Sequence, residues 1–456
     1  MLRADLSRLV GGEHVHEVPP ESPYNRDAGK RAGVQGRAEA VVLPGSAEEV
    51  RAVVAWCYEH DVAIVPRGGG TGMMGGAVAV HGGVVISLER MRRVRELEAA
   101  LWRMLVEAGL STSEVKRLAR ENGLMFAPDP GASEQSQIGG NVATNAGGPH
   151  ALKYGVTGAW VASLEVVLAP GELVHVGGWA AKDVAGYDLR SLLIGSEGTL
   201  GVITAVGLRL LPAPAATHAS IVLLSDRERG CEAMRALPAA GLRPSVLDFL
   251  DGETLAIMAG SYPLPQPPPN AGFALIVEFD GEREAVSTER RAANELLDQL
   301  DGVLRVDDAT DPDALWRWRD GANGVVTAQR GAKISEDVVF PVERLAEGLA
   351  RFGEIASRQG LQSCAWGHGG EGNVHATVLV DPQAQDELAR ASQVGEELFA
   401  LVVKLGGSVA GEHGVGYLKR GRLAAQWDGP AVELHEGIKR LFDPKGLMNP
   451  GKKLAR

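Results

Sequence analysis

Residues 365–375 read AWGHGGEGNVH, two histidines seven residues apart around three glycines, in a chain with only 11 histidines. Glycine lets a backbone fold tightly, which leaves three uses open: a phosphate-cradling loop, a tight turn, or half of a metal site. Downstream, residues 406–416 read GGSVAGEHGVG and set Glu412 beside His413. His368, His375 and Glu412 together form a two-histidine, one-carboxylate set, three protein ligands that leave positions open for a substrate. Zinc accepts such ligands, and so do iron and manganese. On a regular strand Glu412 and His413 would face opposite ways; Gly411, Gly414 and Gly416 permit a turn that brings both to one place. A cation there would lower the pKa of a bound hydroxyl. It would also disfavour an imidazolium beside it, so His413 would stay neutral and able to accept a proton.

Phosphate has a better home elsewhere. Residues 67–76, RGGGTGMMGG, follow a strand expected at 62–66 and contain G-x-G-x-x-G at Gly70, Gly72 and Gly75, with Glu89 near the spacing of a ribose-binding acid. A dinucleotide fold needs a helix to open at that loop. The next residues, AVAVHGGVVISL, include glycines and β-branched side chains but no helical pattern, so the Rossmann reading fails on context. Successive backbone N–H groups still make an anion-binding nest, to which Arg67 adds charge. A second cluster, 128–148, reads PDPGASEQSQIGGNVATNAGG, with KYGVTG at 153–158, and a third, 186–204, reads GYDLRSLLIGSEGTLGVIT. Turns alone do not account for three such clusters in one region. Their amides and hydroxyls suit one polar cofactor, approached closely by backbone.

Positioning these groups falls to a chain of 456 residues, the length of two or three domains. Glycine, at 59 residues, is about twice its usual share. The net charge of −12, with no Lys/Arg block, argues against nucleic acid or an anionic membrane surface as partner. An anionic substrate would therefore need a local positive centre; the metal is one, and Trp316-Arg-Trp-Arg319 offers another. Cys57, Cys231 and Cys364 are too scattered for a disulfide framework, a zinc cluster or an iron–sulfur site. The N-terminal MLRADLSRLVGGEH lacks a signal-peptide core and no run of 18 apolar residues exists, so the expectation is a cytoplasmic protein without a transmembrane segment.

Residues 1–36 read as a polar, irregular N-terminal arm. From 37 to 212, short β-rich runs alternate with helical patterns at 47–59 and 112–122, the mark of an α+β domain rich in glycine turns. Prolines and small residues at 210–220 mark a boundary. A second α+β domain, 213–430, carries strands expected at 220–224, 273–279, 336–341 and 374–380, and helices near 284–299, 342–359 and 383–404. Residues 431–456 form a C-terminal segment with the turn-rich run FDPKGLMNPGK.

The three glycine clusters together resemble the FAD-binding, PCMH-type domain of the vanillyl-alcohol oxidase superfamily. With AWGHGGEGNVH and GEHG added, the chain resembles the branch of FAD-linked D-2-hydroxyacid dehydrogenases: glycolate, D-lactate and D-2-hydroxyglutarate dehydrogenases. The likeness runs from Ala38 to the NPGK of 449–452. It implies an α+β fold: an FAD domain of two α+β subdomains, then an α+β substrate or cap domain with an antiparallel sheet, and a C-terminal segment returning to the FAD domain. It implies that Arg67, Gly68, Gly69, Gly70, Thr71 and Gly72, with Pro128, Gly139, Gly140, Asn141, Thr144, Gly147 and Gly148, wrap the FAD diphosphate. Tyr154, Gly155, Val156, Glu197, Gly198, Ile203 and Asn449 would contact the rest of the cofactor. Thr71 stands where covalently flavinylated relatives carry histidine, and the second cluster has no cysteine, so FAD is expected to be non-covalent. The resemblance makes His368, His375 and Glu412 ligands of a divalent metal, zinc first with manganese or iron as alternatives, and His413 the catalytic base. Arg319 would clamp a substrate carboxylate bidentately, with Asn323 one helical turn along and Lys333 as a further substrate contact.

The implied reaction is FAD-dependent, metal-assisted oxidation of a small D-2-hydroxyacid to its 2-oxoacid. His413 would take the hydroxyl proton as hydride passes to the flavin; a carbanion route uses the same residues. Relatives acting on larger dicarboxylates often carry asparagine where this chain has Thr377, and some carry lysine where it has Ser335. Both departures tilt the expectation from D-2-hydroxyglutarate towards glycolate or D-lactate. The alternative is an FAD-binding subunit of a glycolate oxidase-type complex that relays electrons to an iron–sulfur partner. The electron acceptor would be a quinone, a cytochrome, a flavoprotein or an iron–sulfur subunit, and the assembly a homodimer or a larger complex. Association with a membrane would be peripheral, through that acceptor. A non-haem iron oxygenase would leave the glycine clusters without a use.

Overall fold

Runs of valine and isoleucine too short for helices, broken by glycine turns, set the strands of this chain. The computed structural model describes residues 2–29 and 34–454. They divide into two units: Met1–Gly147 with Val156–Ala213 and Glu412–Arg456, and Gly148–Gly155 with Pro214–Gly411.

The first unit holds two principal sheets. One has the strand order Val15–His16, Ala40–Val42, Val84–Ser87, Ile64–Arg67, with the last three strands parallel. The helix Ala47–Glu59 starts where Ser46 accepts the Glu49 N–H, and it buries Val50, Val53, Val54 and Cys57. The other sheet is antiparallel, in the order Val94–Glu98, Arg103–Glu107, Val202–Arg209, Val161–Leu168, Glu172–Gly177. Among its described residues, the stretch expected as an irregular arm is irregular only beyond residue 16, apart from a single turn at Pro23–Asn25. It opens on the helix Leu2–Val10, whose buried Leu6 and Val10 lie one turn apart, and its Val15–His16 strand pairs with Ala40–Val42. Residues 30–33 of that stretch, like Met1 and residues 455–456 of the C-terminal segment, lie outside the described residues.

The second unit is built on seven antiparallel strands, in the order Val303–Asp308, Ala216–Leu224, Phe273–Gly281, Val246–Asp251, Ser363–Gly367, Asn373–Val380, Ala332–Val339. The helices Gly252–Met258, Pro312–Asp320 and Ala322–Arg330 cover one face. There Leu255, Leu315, Trp318 and Val326 bury against Leu250, Ile276 and Trp366. The α+β class and the antiparallel second sheet are as expected, but strands Val246–Asp251 and Ser363–Gly367 had no expected counterpart, and both matter for the site. Residues 148–155, part of the second glycine cluster and the run after it, pack on this unit. Lys153 donates to the Asp280 carboxylate (2.6 Å), as does Tyr154 (2.8 Å), and His150 meets Glu278 at 2.8 Å. Among the described residues no helix is long and apolar enough to cross a membrane.

Candidate active site

Residues directly opposite in an antiparallel ladder share a face. His375 faces Trp366 on one neighbouring strand and Asp337 on the other. Thr377 likewise faces Cys364 and Ser335. One strand further, Leu250 is opposite Trp366, so Asp248, two residues before it, lies on the same face. The hairpin between His368 and Asn373 turns through Gly372 at φ +75; a Cβ there would fall 1.9 Å from the Phe340 carbonyl oxygen, so only glycine fits. That turn brings the His368 and His375 rings to 5.6 Å between centroids, nearly perpendicular.

Asp248 is fully buried and joins two expected site residues. His368 Nδ1 lies 2.8 Å from its Oδ2; Arg319 gives Nε to Oδ1 (3.0 Å) and Nη2 to Oδ2 (2.8 Å). Burial pushes the carboxyl upward, but the Arg319 guanidinium and the His368 ring overrule it and hold it below the usual carboxylate value. Breaking such a buried pair costs about 3–5 kcal/mol. Arg319, expected to clamp substrate, therefore commits two nitrogens to a protein carboxylate. Sequence reasoning missed Asp248. Its signal was there: a lone carboxylate in the apolar run VLDFL needs a buried partner.

Lys333 lies 4.4 Å over the Trp366 ring, and burial pushes its ammonium down to about 8. Asn323 is exposed, on the helix Ala322–Arg330 that comes after the one carrying Arg319. The two departures from relatives meet each other: Ser335 Oγ and Thr377 Oγ1 are 2.8 Å apart. Asp337, fully buried, accepts from Asn373 Nδ2 and from the Gly411 N–H, both at 2.8 Å. Ser408 pairs with Val339. The chain is thus anchored to this sheet as far as Gly411, the residue before Glu412.

In the first unit, the loop after Glu412 hangs on Glu197. This residue, expected at the cofactor, accepts the N–H groups of Val415 (3.0 Å) and Gly416 (2.6 Å) with its carboxylate. Asn449 Nδ2 donates to the carbonyls of Glu197 (2.7 Å) and Gly76 (2.9 Å), so it ties the third cluster to the first. Gly147 closes against Glu412: a Cβ on it would stand 3.3 Å from Oε2. His413 Nε2 is 3.9 Å from Glu412 Oε1.

The first two glycine clusters pack backbone to backbone. A Cβ at Gly69 would lie 1.9 Å from the Gln135 carbonyl oxygen, and one at Gly68 would lie 3.3 Å from Gly140 Cα. Gly139, Gly140, Asn141 and Thr144 ride on the helix Ile138–Thr144, where Asn141 donates to Thr112 Oγ1. Pro128 and Ile203 are buried, Gly198 turns at φ +71, and Val156 flanks Gly147. Gly148, Tyr154 and Gly155 fall in the other unit. The Arg67 guanidinium is buried beside Gly70 of the loop and donates to the carbonyls of Pro23, Arg26 and Ala77. Asp27 accepts the Gly75 N–H at 2.6 Å and Ala28 donates to the Gly70 and Gly72 carbonyls, so residues 23–28 staple the loop. The surface fits a polar cofactor. Gly72 faces open space, with nothing within 4 Å of a built Cβ, and Gln137 Oε1 is a buried acceptor with no partner among the described residues.

Residues 213–453 match the FAD linked oxidases, C-terminal domain, and residues 38–177 match the FAD binding domain. The chain is 34% identical to the glycolate oxidase subunit GlcD of Bacillus subtilis (strain 168), over 92% of this chain and 90% of that one. It is 32% identical to the D-lactate dehydrogenase of Anaerostipes hadrus, over 92% and 90%. It is 35% identical to the D-2-hydroxyglutarate dehydrogenase of Xanthomonas citri pv. viticola, over 91% and 88%. Among solved structures, p-cresol methylhydroxylase with substrate bound superposes with a TM-score of 0.81 over 99% of this chain and 96% of that one. At 20% identity it shows the shared fold.

Proposed function

The chain belongs to the FAD-linked oxidases, in the FAD-linked D-2-hydroxyacid dehydrogenase family, and from that premise we propose that it oxidises a small D-2-hydroxyacid, glycolate or D-lactate, at a metal held by His368, His375 and Glu412. The observation that carries the metal reading is the hairpin that faces His368 towards His375 while Asp248 occupies Nδ1 of the first ring. Glu412 comes directly after Gly411, which Asp337 fixes to the same sheet. When bound, FAD accepts the substrate's electrons and the divalent metal, zinc or else manganese or iron, polarises its hydroxyl.

The chain's own residues do the rest. His413 accepts the hydroxyl proton, as a neutral imidazole can. Arg319 and Lys333 supply positive charge for a carboxylate, and Asn323 stands on the adjoining helix. Ser335 and Thr377 are paired hydroxyls without charge, which favours a small substrate over one with a second carboxylate to bind. The glycine loops at 67–72 and 139–148 hold FAD by backbone. That binding is non-covalent, with Thr71 offering no attachment. Acid precipitation should therefore leave the yellow colour in the supernatant; colour in the pellet overturns this.

A second reading, an electron-relaying subunit of a complex, is favoured by the three cysteines. All are buried, and burial pushes each thiol up to about 12. Electrons would then leave through an iron–sulfur, quinone, cytochrome or flavoprotein partner. One experiment tests both readings: anaerobic bleaching of the flavin by D- and L-2-hydroxyacids, with and without chelator, followed by turnover with an artificial acceptor. Bleaching by glycolate or D-lactate that chelator suppresses is expected. Bleaching indifferent to chelator sinks the metal, and no bleaching by any hydroxyacid sinks the substrate class. Bleaching without turnover favours the subunit.

A further inference from the structure

Asp248 lies outside the ligand set, yet its contacts decide what that set can do. An ionised carboxylate only accepts hydrogen bonds. His368 Nδ1, at 2.8 Å from Oδ2, must then carry the proton, which leaves the lone pair of a neutral ring on Nε2. The same Oδ2 also accepts from Arg319 Nη2, and Oδ1 accepts from Arg319 Nε. Three elements meet at one side chain: the strand Val246–Asp251, the helix Pro312–Asp320, and the turn after Ser363–Gly367. The pairing of Phe249 with Gly367 brings two of them together, so that Asp248 meets His368 across 120 residues of sequence.

We propose that Asp248 is a positioning residue for the metal and for Arg319 at once: it fixes His368 in the tautomer that ligates through Nε2, and it ties that ring to the guanidinium. This rests on the reading of His368 as a metal ligand. Carboxylates behind ligating histidines raise ligand basicity and lock ring orientation, and losing one typically weakens metal binding about 10–100-fold. An asparagine is nearly isosteric but can present its NH₂ to Nδ1, which releases the tautomer.

The test uses the FAD-loaded full chain as wild type, Asp248→Asn and Asp248→Glu, titrated with Zn²⁺ and Mn²⁺ and read by equilibrium dialysis and by the metal-dependent change in Tm. Asp248→Asn should keep its FAD and lose about 10–100-fold in metal affinity, with partial recovery in Asp248→Glu and a raised KM for substrate. Unchanged metal affinity in Asp248→Asn overturns the proposal while the metal reading survives. A wild type that binds neither ion overturns both. If Asp248→Asn fails to fold, ¹⁵N-histidine spectra of the wild type at alkaline pH decide: His368 protonated on Nδ1 supports the proposal, and protonation on Nε2 overturns it.

Discussion

His413→Ala keeps its FAD but is reduced by substrate about 10²–10⁴-fold more slowly than the wild type, the usual range for a lost general base. The separation of the two effects is the informative part. The loop that carries His413 is held by backbone, through the Val415 and Gly416 N–H groups on the Glu197 carboxylate. Truncating the ring leaves those two backbone contacts in place. Anaerobic stopped-flow at the flavin band reads the rate, and the flavin-to-protein ratio reads cofactor content. Reduction at the wild-type rate would sink the assignment of His413 as base; loss of FAD would show that the ring has a structural duty instead.

Gly372→Ala should cost roughly 2–5 kcal/mol, combining left-handed backbone with forced overpacking. Its φ is +75, and the new Cβ would fall on the Phe340 carbonyl oxygen while Phe340 donates its own N–H to the Gly372 carbonyl at 2.9 Å. The hairpin has to open, and His368 and His375 separate. Metal affinity and Tm should both fall. FAD content should hold, because the loops at 67–72 belong to the other unit. Gly353→Ala is the control: it sits in the helix Leu345–Arg358 with nothing within 4 Å of a built Cβ, so alanine's better helix propensity favours it. Wild-type Tm and metal content in Gly372→Ala would overturn the account of this turn.

What could be read from sequence was what lies close together in it. The glycine clusters and the two histidines of AWGHGGEGNVH are contiguous, so residue type and spacing expose them directly. The helix at 47–59 was legible because its cap and its apolar face repeat within a few residues. Asp248 was not, because its meaning comes from a strand pairing far along the chain. The hydrogen bonds of Arg67 were hidden for a related reason: its partners at Pro23 and Arg26 come from residues 23–28, about forty positions earlier, which fold over the loop. Glu197 and Asn449 stand in the region where a cofactor contact is expected, but their side chains hold neighbouring loops together.

The small excursion of residues 148–155 has a consequence for how this chain can be divided. A cut at residue 213 looks like a clean seam, yet a fragment beginning there would lack His150, Lys153 and Tyr154. The buried carboxylates Glu278 and Asp280 would lose those partners, although Trp316 would still donate to Glu278 at 2.8 Å. Unsatisfied buried charge is among the costliest defects a small domain can carry. The C-terminal half is therefore not a portable module, and any shuffling of halves between related enzymes has to move that eight-residue insert together with the sheet it seals.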